Sequence, residues 1–133
     1  MIFFKFFRLV VLVWLIIAIA SCNSALVKKK DVLQWNTDHQ EQRYRSKTDL
    51  YIQKNQETDK NRLIHKKGTV VAVRLESSDD WIRLRLRDIT KSEEQYPGEV
   101  GYFFVRDPEI DENSQQAIES LQNYMQTNLD RVP

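Results

Sequence analysis

Cysteine, glycine and proline are scarce in this chain of 133 residues, with one Cys, three Gly and three Pro. A single thiol excludes an intramolecular disulfide, so a core alone must hold the fold. So few Gly and Pro exclude collagen-like and low-complexity organisations, and an aromatic content of 11% argues against a disordered chain. An excess of one charge is missing as well. Lys and Arg number 20 against 19 Asp and Glu, which excludes bulk nucleic-acid binding, where many cations must neutralise phosphates. The only histidines, His39 and His65, are not at metal-ligand spacing. No Gly-rich phosphate loop or nucleophile elbow occurs. A catalytic role is therefore not expected, and a small hydrolase is the least favoured class. The length suits one domain rather than two.

One long hydrophobic run is present, at the start. Lys5 and Arg8 precede the unbroken apolar stretch Leu9 to Ala20, and Ser21-Cys22 follows. A basic start, an apolar centre and small residues at its end describe an export signal. Joined to the apolar residues around Lys5 and Arg8, the run could instead span a bilayer as an uncleaved anchor. The ending decides between them. Ile19-Ala20-Ser21-Cys22 resembles the lipobox of bacterial lipoproteins: an aliphatic residue, two small residues, then cysteine. The resemblance implies that residues 1–21 are removed and that Cys22 carries a thioether-linked diacylglycerol and an N-acyl chain such as palmitate. Two or more acyl chains moor a protein stably, at about 0.8 kcal/mol per buried CH₂. The expected cofactors are none beyond this lipid. Without Lys5 and Arg8 the mature chain carries 18 basic against 19 acidic residues. Asn23, in place of the Asp associated with inner-membrane retention, favours the outer membrane where the host has one.

Residues 22–47 are polar with little periodicity and are expected to form a lipidated N-terminus and tether. Lys28, Lys29 and Lys30 could meet anionic headgroups, at about 1 kcal/mol each near the surface, or simply be solvated. Val32, Leu33 and Trp35 form a small apolar cluster. A flexible tether of this length spans roughly 25–30 Å. Asp38 to Ser46 could add a helical turn or two.

Four segments in residues 48–106 read as strands: Thr48 to Lys54, Thr69 to Glu76, Trp81 to Arg87 and Glu99 to Val105. In the third, Ile82, Leu84 and Leu86 share one face while Trp81, Arg83, Arg85 and Arg87 share the other, the period of a half-buried strand. Ser77-Ser78-Asp79-Asp80 reads as a hairpin loop, and Lys66-Lys67-Gly68 and Pro97-Gly98 read as turns. Short strands on short turns favour a mainly β, small antiparallel barrel.

The runs Lys67-Gly68-Thr69-Val70-Val71, Glu76-Ser77-Ser78-Asp79-Asp80-Trp81-Ile82-Arg83-Leu84 and Gly98-Glu99-Val100-Gly101-Tyr102 resemble the bacterial Src-homology-3-like domain. The resemblance covers roughly residues 49–106. It departs at Leu50-Tyr51-Ile52-Gln53-Lys54, where the family has an Asn-x-Arg segment, so a family ligand site near that strand does not carry over. An oligonucleotide/oligosaccharide-binding barrel is the structural competitor.

In residues 107–133, Asp107-Pro108 breaks the last strand and Asp111 to Ser114 offers helix N-caps. Ile118, Leu121, Met125 and Leu129 recur at helical spacing, a face that either closes the barrel or docks on a partner. Candidate contact residues are Trp81, Arg83, Arg85 and Tyr102. The stripe of Arg74, Arg83, Arg85 and Arg87 could bind phosphate or carboxylate groups, or pair across strands with acidic neighbours. Glu76, Asp79 and Asp80 read as solvated turn carboxylates rather than a cation site. The layout resembles small accessory lipoproteins of type II secretion in spirochaetes. Together these readings imply a non-catalytic envelope lipoprotein that binds another protein, the alternative being a peptidoglycan-binding module.

Overall fold

The cleanest alternation in the chain becomes its central strand. The computed structural model describes residues 26–55, 57–106 and 114–133. The expectations for the export signal, Cys22 and the helix-capping stretch before Ser114 lie outside the described residues. The described elements are α1 (Lys29–His39), β1 (Arg43–Ser46), β2 (Leu50–Lys54), β3 (Glu57–His65), β4 (Val70–Ser77), β5 (Trp81–Asp88), β6 (Glu99–Val105), α2 (Ser114–Asn128) and β7 (Leu129–Val132). Seven strands make one sheet in the order β3-β2-β6-β5-β4-β1-β7. The molecule is mainly β, a curled half-barrel with a C-terminal helix.

All four expected strands form, with ends moved by at most two residues. The wholly antiparallel barrel is corrected: β2 runs parallel to β6, and β3 and β7 remain as edges of an open sheet. The parallel contact arises because the β2–β3 hairpin folds back onto the meander. Asn55 makes the turn with a positive φ of 53°, which Asn tolerates better than most residues. Its N–H donates to the Phe103 carbonyl at 2.8 Å, and its Oδ1 accepts from the Val105 N–H at 2.9 Å.

The inward face joins Val71, Val73 and Leu75 of β4, Ile82, Leu84 and Leu86 of β5, and Tyr102 and Phe104 of β6. Two glycines let β6 fit. Gly98 has φ of 97°, and a Cβ there would lie 3.0 Å from the Arg87 backbone nitrogen. The β5–β6 register slips between Leu84 and Arg85, opposite Gly101, where a Cβ would lie 2.5 Å from Leu86 Cδ1 and 2.9 Å from Tyr124 Oη. The Gly-x-x-Gly spacing thus serves a turn and then a close helix–sheet approach.

Helix α2 covers the open side, but on a face rotated from the expected one. Ala117, Leu121 and Tyr124 are buried and Met125 packs beside them, whereas Ile118 is 37% exposed. Tyr124 sets this face by packing on Tyr102 at 5.2 Å between centroids. Leu129 is buried as the first residue of β7, because the helix stops at Asn128. There Asn128 Nδ2 donates to the Tyr124 carbonyl at 2.9 Å, and the Asn128 carbonyl accepts from the Lys47 N–H at 2.8 Å. The last strand then pairs along β1 from Leu129 to Val132.

The tether expected over residues 22–47 is corrected from Leu26 onward. Leu26 is fully buried and Val27, Val32 and Tyr44 also enter the core. The Leu26 N–H donates to the Asp79 carbonyl at 2.9 Å, so the chain enters the core beside the β4–β5 hairpin. Helix α1 then lies along β4 beyond the short reach of β1. Its Asn36 side chain donates to the Leu75 carbonyl at 2.8 Å and accepts from the Leu75 N–H at 2.7 Å, standing in for a neighbouring strand. The expected turns at Asp38 to Ser46 are replaced by the end of α1 and by β1. Polar composition misled because the segment adds its few apolar side chains to a core made elsewhere.

A core role for this segment makes a direct prediction. Leu26→Ala is expected to destabilise the chain by about 2 to 5 kcal/mol, whereas Leu33→Ala, at a side chain 64% exposed, is expected to change stability by under about 0.5 kcal/mol. Denaturant unfolding of the two variants checks the contrast.

Candidate functional site

The strands that bury aliphatic side chains inward must present their alternate residues outward. On β4 and β5 those are Ala72, Arg74, Glu76, Trp81, Arg83, Arg85 and Arg87. Glu76 stands between two of the arginines. Arg83 Nε and Arg85 Nε donate to its two carboxylate oxygens at 2.6 Å and 2.7 Å. Arg85 also donates to the Gly98 carbonyl at 2.6 Å. Burial would raise the Glu76 pKa, but the hydrogen bonds and positive charges of Arg83 and Arg85 outweigh it and hold the carboxyl below its ordinary value.

Trp81 is half-buried at the hairpin end of this face. The Arg83 guanidinium lies 4.8 Å above its ring, and Phe103 packs 5.7 Å away. Of the four sequence-predicted contact residues, the structure brings Trp81, Arg83 and Arg85 together on one surface and separates Tyr102 from them. Tyr102 is only 1% exposed and faces the core against Tyr124. Its exclusion follows from strand period: Leu84 pairs with Tyr102 and Arg83 with Phe103, so Phe103 is the outward aromatic. The phase of β5, whose inward residues were evident, would have found it.

Beside this surface runs a groove of about 550 Å³. One wall is the outer side of α1, with Leu33, Asn36, Thr37 and Gln40; the other is β4 and β5, with Arg74, Arg85 and Arg87; Arg43, Glu41, Glu93 and Pro97 complete its rim. Arg43 donates to the carbonyls of Gln40 and Gln42 at 3.4 Å and 3.1 Å. Arg87 donates to the Lys91 carbonyl at 2.5 Å. Arg74 is exposed and stands directly across from Arg85 in the β4–β5 register. The arginine stripe was legible in the sequence, but the α1 wall and Arg43 were not, because the segment that carries them has no strong period.

Two other hollows have different character. One of about 470 Å³ lies beside His65, Asp88 and Tyr96. His65 directs Nε2 to the Leu86 carbonyl at 2.9 Å, and Asp88 is held below its ordinary pKa by hydrogen bonds from the Thr90 backbone and hydroxyl. Burial and the neighbouring Glu99 push Tyr96 up to about 12, so its phenol stays protonated near neutrality. A smaller hollow of about 170 Å³ lies between Gln53, Asn55 and α2. Among the described residues, no three His, Cys, Asp or Glu side chains gather where they could hold a metal ion. No family model matches this chain, and neither a curated protein nor a solved structure matches it.

The Glu76 arrangement carries a pH signature. A depressed folded pKa means that the pairing stabilises fully above the ordinary value of 4.5 and fades as pH falls through the lower folded value. Glu76→Gln is therefore expected to cost about 1 to 2 kcal/mol at pH 7, after allowance for solvent screening at this partly exposed site. The gap from the parent chain should close as both are titrated below pH 4.5, which thermal unfolding against pH measures.

Proposed function

We propose that this chain is a lipid-anchored envelope lipoprotein whose small β domain is a non-catalytic protein-interaction module, accessory to a secretion system. The observation that carries the reading is the position of its only cysteine. Cys22 ends a basic and apolar export-like run with Ile19-Ala20-Ser21, and the first described core residue, Leu26, follows four residues later. Cleavage before Cys22 would therefore remove none of the described elements.

The short link changes what anchoring means. Four residues reach at most about 14 Å even when extended, about half the span of the long tether that composition suggested. Leu26 is bonded beside the Ser78–Asp80 hairpin, so that end of the half-barrel is held near the bilayer. Arg74, Arg85 and Arg87 lie several residues from the hairpin along β4 and β5. At about 3.3 Å per residue, that is roughly 10 Å or more along the strands from the end beside Leu26, leaving room for a soluble or integral partner to reach the groove.

Strand order supports a Src-homology-3-like reading of the domain. The order β7-β1-β4-β5-β6 has the chain's last strand beside its first, followed by a three-stranded meander, as in that fold. The β2–β3 hairpin then occupies the long loop after the first strand, and α2 occupies the connection before the last. On this reading β1, rather than Leu50-Tyr51-Ile52-Gln53-Lys54, is the first barrel strand.

Mass spectrometry of the chain isolated from its own membranes tests the anchor. The expected species begins at Cys22 and carries acyl chains; an intact Met1 or a free thiol refutes it. Crosslinking in intact envelopes tests the interaction role, with one dominant protein adduct as the expected result. Retention on purified peptidoglycan without such an adduct would transfer the assignment to the cell wall.

A further inference from the structure

We infer that the groove between α1 and the outer face of β4–β5 binds the carboxylates of a short acidic segment in the partner protein. This rests on the interaction-module reading and names the chemistry its partner must present.

The first support is an electrostatic conflict inside the fold. Arg74 and Arg85 are paired directly across two strands, an arrangement in which like charges repel. Glu76 offsets the repulsion only in part, because its negative charge is shared between Arg83 and Arg85, and among the described residues Arg74 has no ion-pair partner of its own. Arg74 is left exposed at the groove wall, and an arriving carboxylate would relieve the repulsion.

The second support is how the other guanidinium groups are held. Arg43 bonds to two backbone carbonyls, and Arg87 bonds to one. A carbonyl fixes the direction of a guanidinium without cancelling its charge. These cations are therefore oriented in advance, which lowers the entropy lost on binding, and each retains donors for forked bonding to a carboxylate.

The lining also selects among anions. Glu41 and Glu93 sit on the rim and interrupt the positive field, which disfavours a long uniform polyanion. Among the described residues no aromatic side chain lines the groove, so they offer no ring on which a sugar of peptidoglycan could stack. Leu33, Ala72 and Pro97 provide apolar surface beside the arginines, suited to the side chains that separate acidic residues in a peptide.

The test uses the mature full chain in neutral detergent micelles and fluorescence anisotropy. The probe is a fluorescein-labelled peptide of alternating glutamate and leucine, with its glutamine counterpart as the neutral control. The expected result is binding of the glutamate peptide alone, weakening as salt is raised. Arg74→Ala and Arg87→Ala should each weaken it about tenfold, as loss of one charge-assisted contact would. Arg62→Ala, on the distant edge strand β3, should bind normally. Arg74→Ala should also keep or raise the thermal midpoint, since it removes the repulsion with Arg85. Equal weakening by Arg62→Ala, normal binding by Arg74→Ala, a fall in its midpoint, or displacement of the peptide by peptidoglycan fragments would each overturn the inference. If the envelope crosslink persists in Arg74→Ala with Arg87→Ala while the peptide fails to bind, the groove assignment falls and the interaction role stands. Absence of the crosslink in the parent chain strikes the interaction role itself.

Discussion

The alternation along β5 constrains everything around it. Burial of Ile82, Leu84 and Leu86 contributes roughly 1.5 to 3 kcal/mol for each side chain. The same backbone geometry then forces Trp81, Arg83, Arg85 and Arg87 onto the opposite face. A like-charge pair across strands costs only about 0.2 to 1 kcal/mol, so the inward gain prevails and the sheet tolerates a crowded row of arginines. Slipping the register by one residue would bring the arginines into the core, which makes the outward face as firmly specified as the inward one.

A meander with one buried face still needs its ends and sides covered, and the chain supplies the covers from both directions. Leu26 and Val27 enter at the hairpin end. Asn36 satisfies the backbone of Leu75 where β1 does not reach. Helix α2 lays Ala117, Leu121 and Tyr124 over the inner side, and β7 returns to pair with β1. The remaining long edge, β3, is mostly exposed and carries Glu57, Asp59, Lys60 and Arg62, a charged composition that discourages edge-to-edge association. The groove is a consequence of the same arrangement: it exists because α1 lies alongside β4 instead of a longer strand.

What was legible in the sequence was what has a strong local period. β4 and β5 alternate cleanly and β2 passably, β6 is a short apolar run after a Pro-Gly turn, and all four were evident. β1 has only four residues and β7 another four, too few for alternation to register; β1 exists through pairing with β4 and β7, and β7 through pairing with β1. β3 is almost entirely polar, so its strand character comes from the hairpin partner rather than from burial. Helix α1 has one buried residue, Val32, and its side-chain bonds from Asn36 reach a strand edge some forty residues away. For the candidate site, Trp81, Arg83 and Arg85 were visible from period alone. Tyr102 was misplaced because Tyr102, Phe103 and Phe104 are all aromatic, and three like residues in a row do not reveal which one points outward. Arg43 and the helical wall required tertiary contact to appear.

The proposed anchor and the groove would be linked by that unexpected order near the N-terminus. A long flexible tether would let the domain sample every orientation, and a positive groove would spend much of its time against anionic headgroups. On the proposed lipidation at Cys22, a link of a few residues ending in a buried leucine would remove that freedom, because the plug would fix which end of the barrel met the surface. Lys28, Lys29 and Lys30 follow immediately and are exposed, so on the same proposal the positive charge offered to headgroups would come from lysines, which act as mobile point charges. The arginines, with their forked and backbone-held geometry, stand farther along β4 and β5. The proposed anchor and groove would thus divide the basic residues by the geometry each task requires, lysine toward the lipid and arginine in the groove, with α1 as the element that connects the two.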